Sequence, residues 1–368
     1  MSLIPSSIAA AAAAAAPSTS AVPSTNGTNP FKAISKTADE IFGKAPELQV
    51  LLTDEKPLFH EAGVFFPEDN VLFVTSNFIE GPEGKSTKIS RISLKPGEDG
   101  KVVAEKEVLE KAKVTLPNGG INFEDGIVFC AQGNMEKPGG LAFMKVGPKG
   151  QCVETKMLLD SFNGRQFNSP NDVAVHKDGS IWFTDPMYGS EQGIRPKPDL
   201  PQQVYRFDPK TKSVRAMVDG FGRPNGLTFS PDQNILYVTD TDKVHGDGTE
   251  DPTRPATIYS FKVNMVNDEP SLSDRRLFAM ADNGIPDGIK CDTKGNVYSG
   301  CGDGVHVWSP GGQLLGKVLI EGGAANFCFG NAGEMFILNE KKLYLAKLSP
   351  QIKGTIVSGK EKKEDKKD

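Results

Sequence analysis

The sequence predicts an all-β protein, a six-bladed β-propeller whose ring is closed by a strand from near the N-terminus. Three observations support this fold. A short pattern with two strand-like segments returns six times, and its copies begin 38 to 62 residues apart, the spacing of propeller blades. The 39 glycines and 26 prolines suit many short strands joined by turns. In addition, no segment has the long 3.6-residue periodicity of an amphipathic helix.

Each copy contains an opening residue, an alternating apolar run, a tight turn and a second apolar run. The copies are EAGVFFPEDNVLFVTS from Glu61, NGGINFEDGIVFCAQ from Asn118, NDVAVHKDGSIWFTD from Asn171, NGLTFSPDQNILYVTD from Asn225, DGIKCDTKGNVYSGC from Asp287 and ANFCFGNAGEMFILN from Ala325. Hairpin-like runs between the copies give four-stranded blades. The last repeat is one strand short, and we expect LQVLLTD, which begins at Leu48, to complete it and close the ring.

The two ends of the chain differ in composition from the middle. We expect residues 1–45 to be a disordered segment rich in Ala, Ser and Pro, residues 46–350 to form the propeller, and residues 351–368 to form a charged tail. The Ala-rich start has no basic residue before Lys32, which favours a cytoplasmic protein, with secretion as the alternative. The five cysteines form no CxxC pair and are expected to be reduced.

The charge pattern argues against two classes of partner. The net charge is −5, with 42 basic and 47 acidic residues scattered along the chain. This pattern offers no basic patch for nucleic acid or for an anionic membrane surface, so neither is expected as a partner. The oligomeric state is left open by the sequence.

Five of the six opening residues carry a side-chain oxygen. Because a ring places equivalent positions around one axis, we expect these five to meet at the mouth of the central channel. They are Glu61, Asn118, Asn171, Asn225 and Asp287, up to 226 residues apart. An all-oxygen set suits one hard divalent cation, calcium first, with magnesium or manganese possible and zinc less expected.

A plainer interpretation exists for three of these positions. Asn118, Asn225 and Asp287 are each followed by glycine, and Asn-Gly and Asp-Gly are turn dipeptides that could serve only to start a strand. Glu61-Ala62 and Asn171-Asp172 are not turn dipeptides, yet they occupy the same repeat position. The shared position therefore favours a common metal site over five separate turns.

Three longer segments resemble the gluconolactonase and regucalcin family of six-bladed propellers. They are FNSPNDVAVHKDGSIWFTDPMYG from Phe167, RPNGLTFSPD from Arg223 and IPDGIKCDTKGNVY from Ile285, and the resemblance extends from Leu48 to about Leu348. The NSPND and FTDPxYG motifs are more similar to the gluconolactonase branch. The resemblance implies hydrolysis of sugar or related lactones, with one divalent ion held at the channel mouth by Glu61, Asn171, Asn225 and Asp287.

Lactone opening requires a polarised carbonyl, an activated water and a stabilised oxyanion. A bound cation can polarise the carbonyl and stabilise the oxyanion, so no serine nucleophile is needed. The sequence has no GxSxG motif, the pattern that would indicate such a serine. Asp287 is the candidate catalytic residue, either as general base or purely as a metal ligand. The candidate substrate-binding residues are Asn118, Asn168, Tyr188 and His60.

Two other functions compete with a metal-dependent lactonase. One is a non-catalytic propeller that uses its ion for rigidity and its faces for binding, because the fold alone does not define an activity. The other is a strictosidine-synthase-like enzyme, which is disfavoured because this chain retains the cation-binding Asn and Asp set. Sequence patterns therefore favour the lactonase, with the non-catalytic scaffold as the alternative.

Overall fold

Six antiparallel sheets arranged in a ring make up the protein. The computed structural model describes residues 29–82, 84–98 and 101–355. The innermost strands of successive sheets contact one another, and the innermost strand of the last sheet contacts that of the first. The ring is therefore closed, and the predicted six-bladed propeller is confirmed.

The first half of the ring contains three blades. Before them lie β1 (Phe31–Ala33), α1 (Lys36–Phe42) and β2 (Glu47–Thr53). Blade 1 begins with β3 (Glu61–Phe66) and β4 (Val71–Thr75), continues past a small hairpin of β5 (Ile79–Gly81) and β6 (Gly84–Ser86), and ends with β7 (Ile89–Pro96) and β8 (Val102–Val108). Blade 2 contains β9 (Pro117–Phe123), β10 (Gly126–Ala131), β11 (Gly140–Gly147) and β12 (Gln151–Leu159), with a 3₁₀ turn at Pro148–Gly150. The hairpin of β13 (Ser161–Phe162) and β14 (Arg165–Gln166) leads to blade 3, which contains β15 (Val173–Val175), β16 (Ile181–Asp185), the short helix α2 (Tyr188–Glu191), β17 (Gln203–Phe207) and β18 (Val214–Val218).

The second half contains the other three blades. Blade 4 comprises β19 (Pro224–Phe229), β20 (Ile235–Asp240), β21 (Thr257–Val266) and β22 (Glu269–Met280). Blade 5 comprises β23 (Ile289–Cys291), β24 (Val297–Cys301), β25 (Gly304–Trp308) and β26 (Leu314–Leu319). Blade 6 comprises β27 (Asn326–Phe329), β28 (Glu334–Asn339), β29 (Lys342–Lys347) and, as its outermost strand, β2.

The hairpin of blade 3 illustrates how the repeated pattern becomes structure. Val173 and Val175 alternate along β15, and a tight turn reverses the chain, with the His176 N–H bonded to the Ser180 carbonyl at 2.9 Å. Gly179 has a φ of +86°, which favours glycine at this point of the turn. The Asp178 carboxylate accepts the Ser180 N–H at 2.8 Å and so holds the turn in place. The tight turn predicted within each copy is therefore confirmed for this one, at residues 177–180.

The ring is closed by pairing the beginning of the chain with its end. Strand β2 pairs antiparallel with β29, with Leu48 opposite Ala346 and Val50 opposite Tyr344. Partly buried Leu48, Leu51 and Leu52 pack against the apolar clusters on either side. This confirms the predicted closing strand, which leaves blade 6 with its full set of four strands.

The propeller begins earlier than residue 46, contrary to the predicted boundary. Strand β1 pairs with β26 and adds a fifth strand to blade 5. Ala38, Ile41 and Phe42 of α1 are buried in the same apolar cluster as Phe31. A seven-residue helix is too short to give a clear periodic signal, so composition alone placed these residues with the Ala-rich segment. Of that segment, residues 1–28 lie outside the described residues.

The C-terminal boundary also differs from the prediction. Ile352 is buried, and Gly354 forms a β-bridge with Asp292 of blade 5. The Thr355 N–H bonds to the Cys291 carbonyl at 3.1 Å, so the fold includes the first residues of the predicted tail. The remaining residues, 356–368, lie outside the described part of the chain.

Apolar side chains fill the spaces between neighbouring blades. The largest cluster joins blades 2, 3 and 4 and includes Trp182, Phe183 and Tyr205, with the last two rings stacked at 5.5 Å. Such burial of large aromatic groups is the main stabilising contribution in a sheet of this kind.

None of the helices among the described residues is long and apolar enough to cross a bilayer.

Candidate metal centre

The opening residues of five repeats line one polar cavity at the channel mouth. Glu61 begins β3, Asn118 and Asn225 lie in β9 and β19, and Asn171 and Asp287 come two residues before β15 and β23. All five are less than a tenth exposed. The cavity that they share has a volume of about 30 Å³. Since roughly 10–15 Å³ holds one water, there is room for one or two water-sized species at its centre.

Glycines after the opening residues allow the innermost strands to approach one another. A Cβ on Gly119 would lie 2.5 Å from Asp172 Oδ1, and one on Gly288 would collide with the side chain of Asn326. Asn118-Gly119 and Asn225-Gly226 lie within strands rather than at turns. Both dipeptides therefore lie at the start of a strand, as the plainer interpretation expected, but neither forms a turn. Glycine is required there because a neighbouring blade comes too close for a side chain.

Glu61 is held in place by a residue that the repeat pattern did not identify. Asn326 donates from Nδ2 to Glu61 Oε2 at 2.6 Å, and its Oδ1 accepts the Phe327 N–H at 2.8 Å. Asn326 is fully buried and lies one position after Ala325, the sixth opening residue. The sixth blade thus supplies an amide that orients the glutamate of the first. In the sixth copy the oxygen-bearing side chain stands at the second position of the repeat instead of the first, and this was the signal by which the sequence could have identified Asn326.

Two oxygens at this site lack hydrogen-bond donors. Asn171 Oδ1 and Asp287 Oδ1 are buried and have no hydrogen-bond partner among the described residues. Buried polar atoms without partners are costly and rare, so an unsatisfied pair at one cavity points to a missing ligand. Carboxylate and amide oxygens are the ligands that hard divalent cations prefer.

The electrostatics of the two carboxylates also fit a cation. Burial and repulsion from Glu61 raise the pKa of Asp287 well above its ordinary value. Burial likewise raises the pKa of Glu61, and repulsion from Asp172 adds to this, while His60 and Asn326 partly offset it. A positive charge between the carboxylates would relieve both effects. The donor set present therefore fits one divalent cation.

His60 lines the same cavity and is paired with a second residue that the sequence did not identify. His60 Nδ1 lies 2.7 Å from Glu340 Oε1, and Asn77 donates to Glu340 Oε2 at 3.0 Å. Burial alone would lower the pKa of His60, but the Glu340 carboxylate, helped by Glu61 and Asp287, raises it to about 9. Glu340 follows β28 in a turn of the last blade, outside any repeated position.

The structure separates the other predicted substrate-binding residues. Tyr188 and Asn118 line the cavity, and the Tyr188 hydroxyl bonds to Thr241 Oγ1 at 2.6 Å. Asn168 is not among the lining residues. Its Nδ2 donates to the carbonyls of Asp185 and Leu200, so it holds the loop before Asn171.

A second group of potential metal ligands lies in and beside blade 5. Asp282, Asp303 and His306 place their ligand atoms within 4.8 Å of one another. Lys317 donates to both carboxylates, at 2.6 Å to Asp282 and 3.1 Å to Asp303. The ammonium group already supplies the positive charge there, so this cluster is an ion-pair network rather than a second metal site.

Comparisons with known proteins identify a family and similar relatives. The family described as the SMP-30/Gluconolactonase/LRE-like region matches residues 104–340. The chain is 30% identical over 210 residues to a gluconolactonase of Zymomonas mobilis. The aligned region covers 55% of each protein. It is 29% identical over 314 residues to the lactonohydrolase oryL of Aspergillus oryzae, covering 80% of this chain and 68% of that protein. The match thus spans about half the length of the Zymomonas protein.

A solved structure supports the same assignment of the fold. A gluconolactonase from Xanthomonas campestris superposes with a TM-score of 0.68 at 28% sequence identity. The alignment covers 88% of this chain and 96% of the Xanthomonas protein. The similarity therefore includes nearly the whole ring and not only the strands around the candidate metal centre.

Proposed function

The chain belongs to the SMP-30/gluconolactonase/LRE-like family, and from this premise we propose that it is a lactonase that opens sugar or related lactones with the help of a divalent cation. Relatives named gluconolactonase and lactonohydrolase support this substrate class. The observation that carries the proposal is the meeting of two carboxylates and two amides at one small cavity, with two of their oxygens lacking a donor.

Glu61, Asn171, Asn225 and Asp287 would hold the cation, with calcium as the first candidate and magnesium, manganese or zinc as alternatives. When bound, such an ion supplies Lewis-acid polarisation of the lactone carbonyl and stabilises the oxyanion. Asn326 keeps Glu61 oriented toward the cavity through its short hydrogen bond. The two carboxylates together would nearly neutralise a divalent ion.

Asp287 is our candidate for the proton acceptor. A carboxylate has two oxygens, so one oxygen of Asp287 would hold the ion while the other accepts a hydrogen bond from water. The water oxygen forms a bond to the lactone carbonyl carbon as its proton passes to Asp287. The ring C–O bond then breaks and the ring oxygen takes that proton from Asp287, which gives an open-chain hydroxy acid and restores the carboxylate.

The cavity wall offers groups suited to a hydroxylated substrate. Asn118, Gln132 and Gln192 present amides, and His60 lies beside Glu61. Amide and imidazole groups hydrogen-bond to hydroxyls, so we infer that they orient the sugar ring over the ion. Tyr188 also lines the wall, although its hydroxyl is already bonded to blade 4.

The test is hydrolysis of a panel of aldonolactones and aliphatic lactones, followed with a pH indicator. Turnover should disappear in EDTA and return when calcium, magnesium or manganese is added. Asp287→Asn and Glu61→Gln should abolish turnover, whereas the control Asp282→Asn should retain it because that carboxylate is exposed and belongs to a separate ion-pair network. A non-catalytic scaffold would instead have a lower Tm in EDTA and would hydrolyse no lactone with any metal.

A further inference from the structure

A larger cavity lies at the opposite end of the channel. The innermost strands run away from the metal centre, and Phe65 lies four residues beyond Glu61 along β3, about 13 Å at roughly 3.3 Å per residue. Around Phe65 is a cavity of about 310 Å³, ten times the volume of the metal cavity. This volume is at the lower end of the range for small-molecule sites, about 300–1,000 Å³.

The walls of this far cavity are mainly apolar. Blades 1, 2 and 6 contribute Phe65, Ile121, Cys328 and Phe329. Such a lining favours a ligand with a hydrocarbon body, because burying apolar surface is favourable at about 25 cal/mol per Å². It differs in kind from the metal cavity, whose lining is made largely of carboxylates, amides and hydroxyls.

One buried cation, Lys290, also lines the far cavity. Lys290 lies on β23 between Ile289 and Cys291 and is only 5% exposed. Its ion partner among the described residues is Asp172, with Nζ 3.8 Å from Oδ2, too far for a hydrogen bond. Asp172 Oδ2 has no hydrogen-bond partner among the described residues either. A buried ammonium is stable only when acceptors meet its three N–H groups, so an acceptor is expected from the cavity side.

The remaining charges favour an anionic acceptor. Lys353 stands exposed at the rim, and none of the described residues that line the far cavity is Asp or Glu. Asp172 offsets part of the Lys290 charge from the channel side, but the cavity wall itself carries two ammonium groups, no carboxylate and a mainly apolar surface, which is complementary to an amphipathic anion. A carboxylate is of the right size to accept hydrogen bonds from a single ammonium.

We propose that the far cavity is a second binding site, for a small carboxylic acid with an apolar alkyl or aryl body. The carboxylate pairs with Lys290, and the hydrocarbon part packs against Phe65, Ile121 and Phe329. Binding there does not depend on the metal centre or on lactonase activity. The site is therefore tested by equilibrium binding rather than by turnover.

The first experiment uses the full-length wild-type protein and three probes of equal length. Isothermal titration calorimetry with octanoate, 1-octanol and octylamine at pH 7 separates charge from hydrophobicity. Octanoate should bind at least tenfold more tightly than octanol, and octylamine should not bind. Equal affinity for octanoate and octanol would mean a merely apolar pocket and would overturn the proposal, as would the absence of octanoate binding.

Two variants then locate the site. Lys290→Met should weaken octanoate binding at least tenfold and leave octanol binding unchanged. Because that change leaves Asp172 buried without its partner, a second variant keeps the pair intact. Ala332→Trp fills the exposed rim of the cavity and should weaken both probes about tenfold. Lys262→Met, which changes an exposed lysine on β21 of blade 4, is the matched control. Octanoate binding that survives both cavity variants would exclude this site.

Discussion

The hydrogen bond between Asn326 and Glu61 gives the most direct test of the proposed metal centre. Asn326→Ala removes the donor that lies 2.6 Å from Glu61 Oε2 in a fully buried position. Glu61 would then lack its orienting amide while still bearing a charge that burial disfavours. We expect the affinity for the cation to fall.

The expected loss follows from the kind of bond removed. A hydrogen bond to a charged group contributes about 1.5–3 kcal/mol, and each 1.4 kcal/mol corresponds to about a tenfold change in Kd. Mutation of a residue that orients a metal ligand typically weakens the affinity for the metal about 10- to 100-fold. The two estimates agree on a Kd for calcium that is weaker by about one to two orders of magnitude.

The assay is calorimetric titration of calcium into metal-free protein, with thermal melting measured in parallel. Asn296→Ala is the matched control, because Asn296 is also a buried asparagine whose amide donates to a carboxylate, Asp292 Oδ2 at 2.8 Å, and neither residue lines the candidate metal site. The control should lower the Tm and leave the Kd unchanged. If Asn326→Ala also leaves the Kd for calcium unchanged, Asn326 does not support the metal ligand and the reasoning fails.

Three other predictions concern the fold. Deleting residues 1–53 removes β2 from blade 6 and should abolish the cooperative thermal transition, because the ring loses its closing strand. Phe42→Ala should destabilise the protein by about 3–5 kcal/mol in urea unfolding, because this buried ring packs against Phe31 at 5.5 Å. Partial burial would raise the pKa of Asp178, but hydrogen bonds from Ser180 and Arg206 lower it overall, so the ionised carboxylate stabilises the fold. This contribution is lost on acidification, and Asp178→Asn, which lacks it, should lose less stability between about pH 4 and pH 2.

Each of these has its own control. A deletion of residues 1–28 retains every described strand and should have the same Tm as the full chain. If deletion of residues 1–53 also leaves the Tm unchanged, closure of the ring by β2 is contradicted. Ile34→Ala changes an exposed residue between β1 and α1 and should cost far less than Phe42→Ala. The pKa of Asp178 is lower in the folded than in the unfolded state, so its contribution to the free energy of unfolding is present above about pH 4 and is lost as the pH falls below it. If the stability of wild type and Asp178→Asn falls identically with acid, these hydrogen bonds do not stabilise the ionised carboxylate.

Local signals in the chain were sufficient for the blades. The alternation of Val173 and Val175, the turn at residues 177–180 and the return strand from Ile181 are encoded within some fifteen neighbouring residues. Repetition of that unit then fixes the ring, since equivalent blades close around one axis. The same logic predicted that Glu61 and Asp287 would line one cavity.

Short or weakly patterned segments were not predictable in this way. Phe31 and Phe42 belong to the core, but they lie beside an Ala-rich run and in elements of three and seven residues. Their burial depends on β26 offering a free edge, which is a property of blade 5 and not of the segment itself. Composition therefore placed the boundary about fifteen residues too late.

The sequence by itself determined the repeat, the four-stranded blade and the oxygen-bearing residue that opens five of the six copies. Only the tertiary structure decided what supports and surrounds those residues. Asn326 reaches Glu61 from 265 positions away, Glu340 meets His60 from 280 away, and Lys290 faces Asp172 across the channel. Asn326 and Asp172 each directly follow the opening residue of their copies, and Glu340 lies outside the copies. Which residue each of them meets is decided by the closed ring, because the geometry of neighbouring blades brings these side chains together and no local pattern in the chain records that approach.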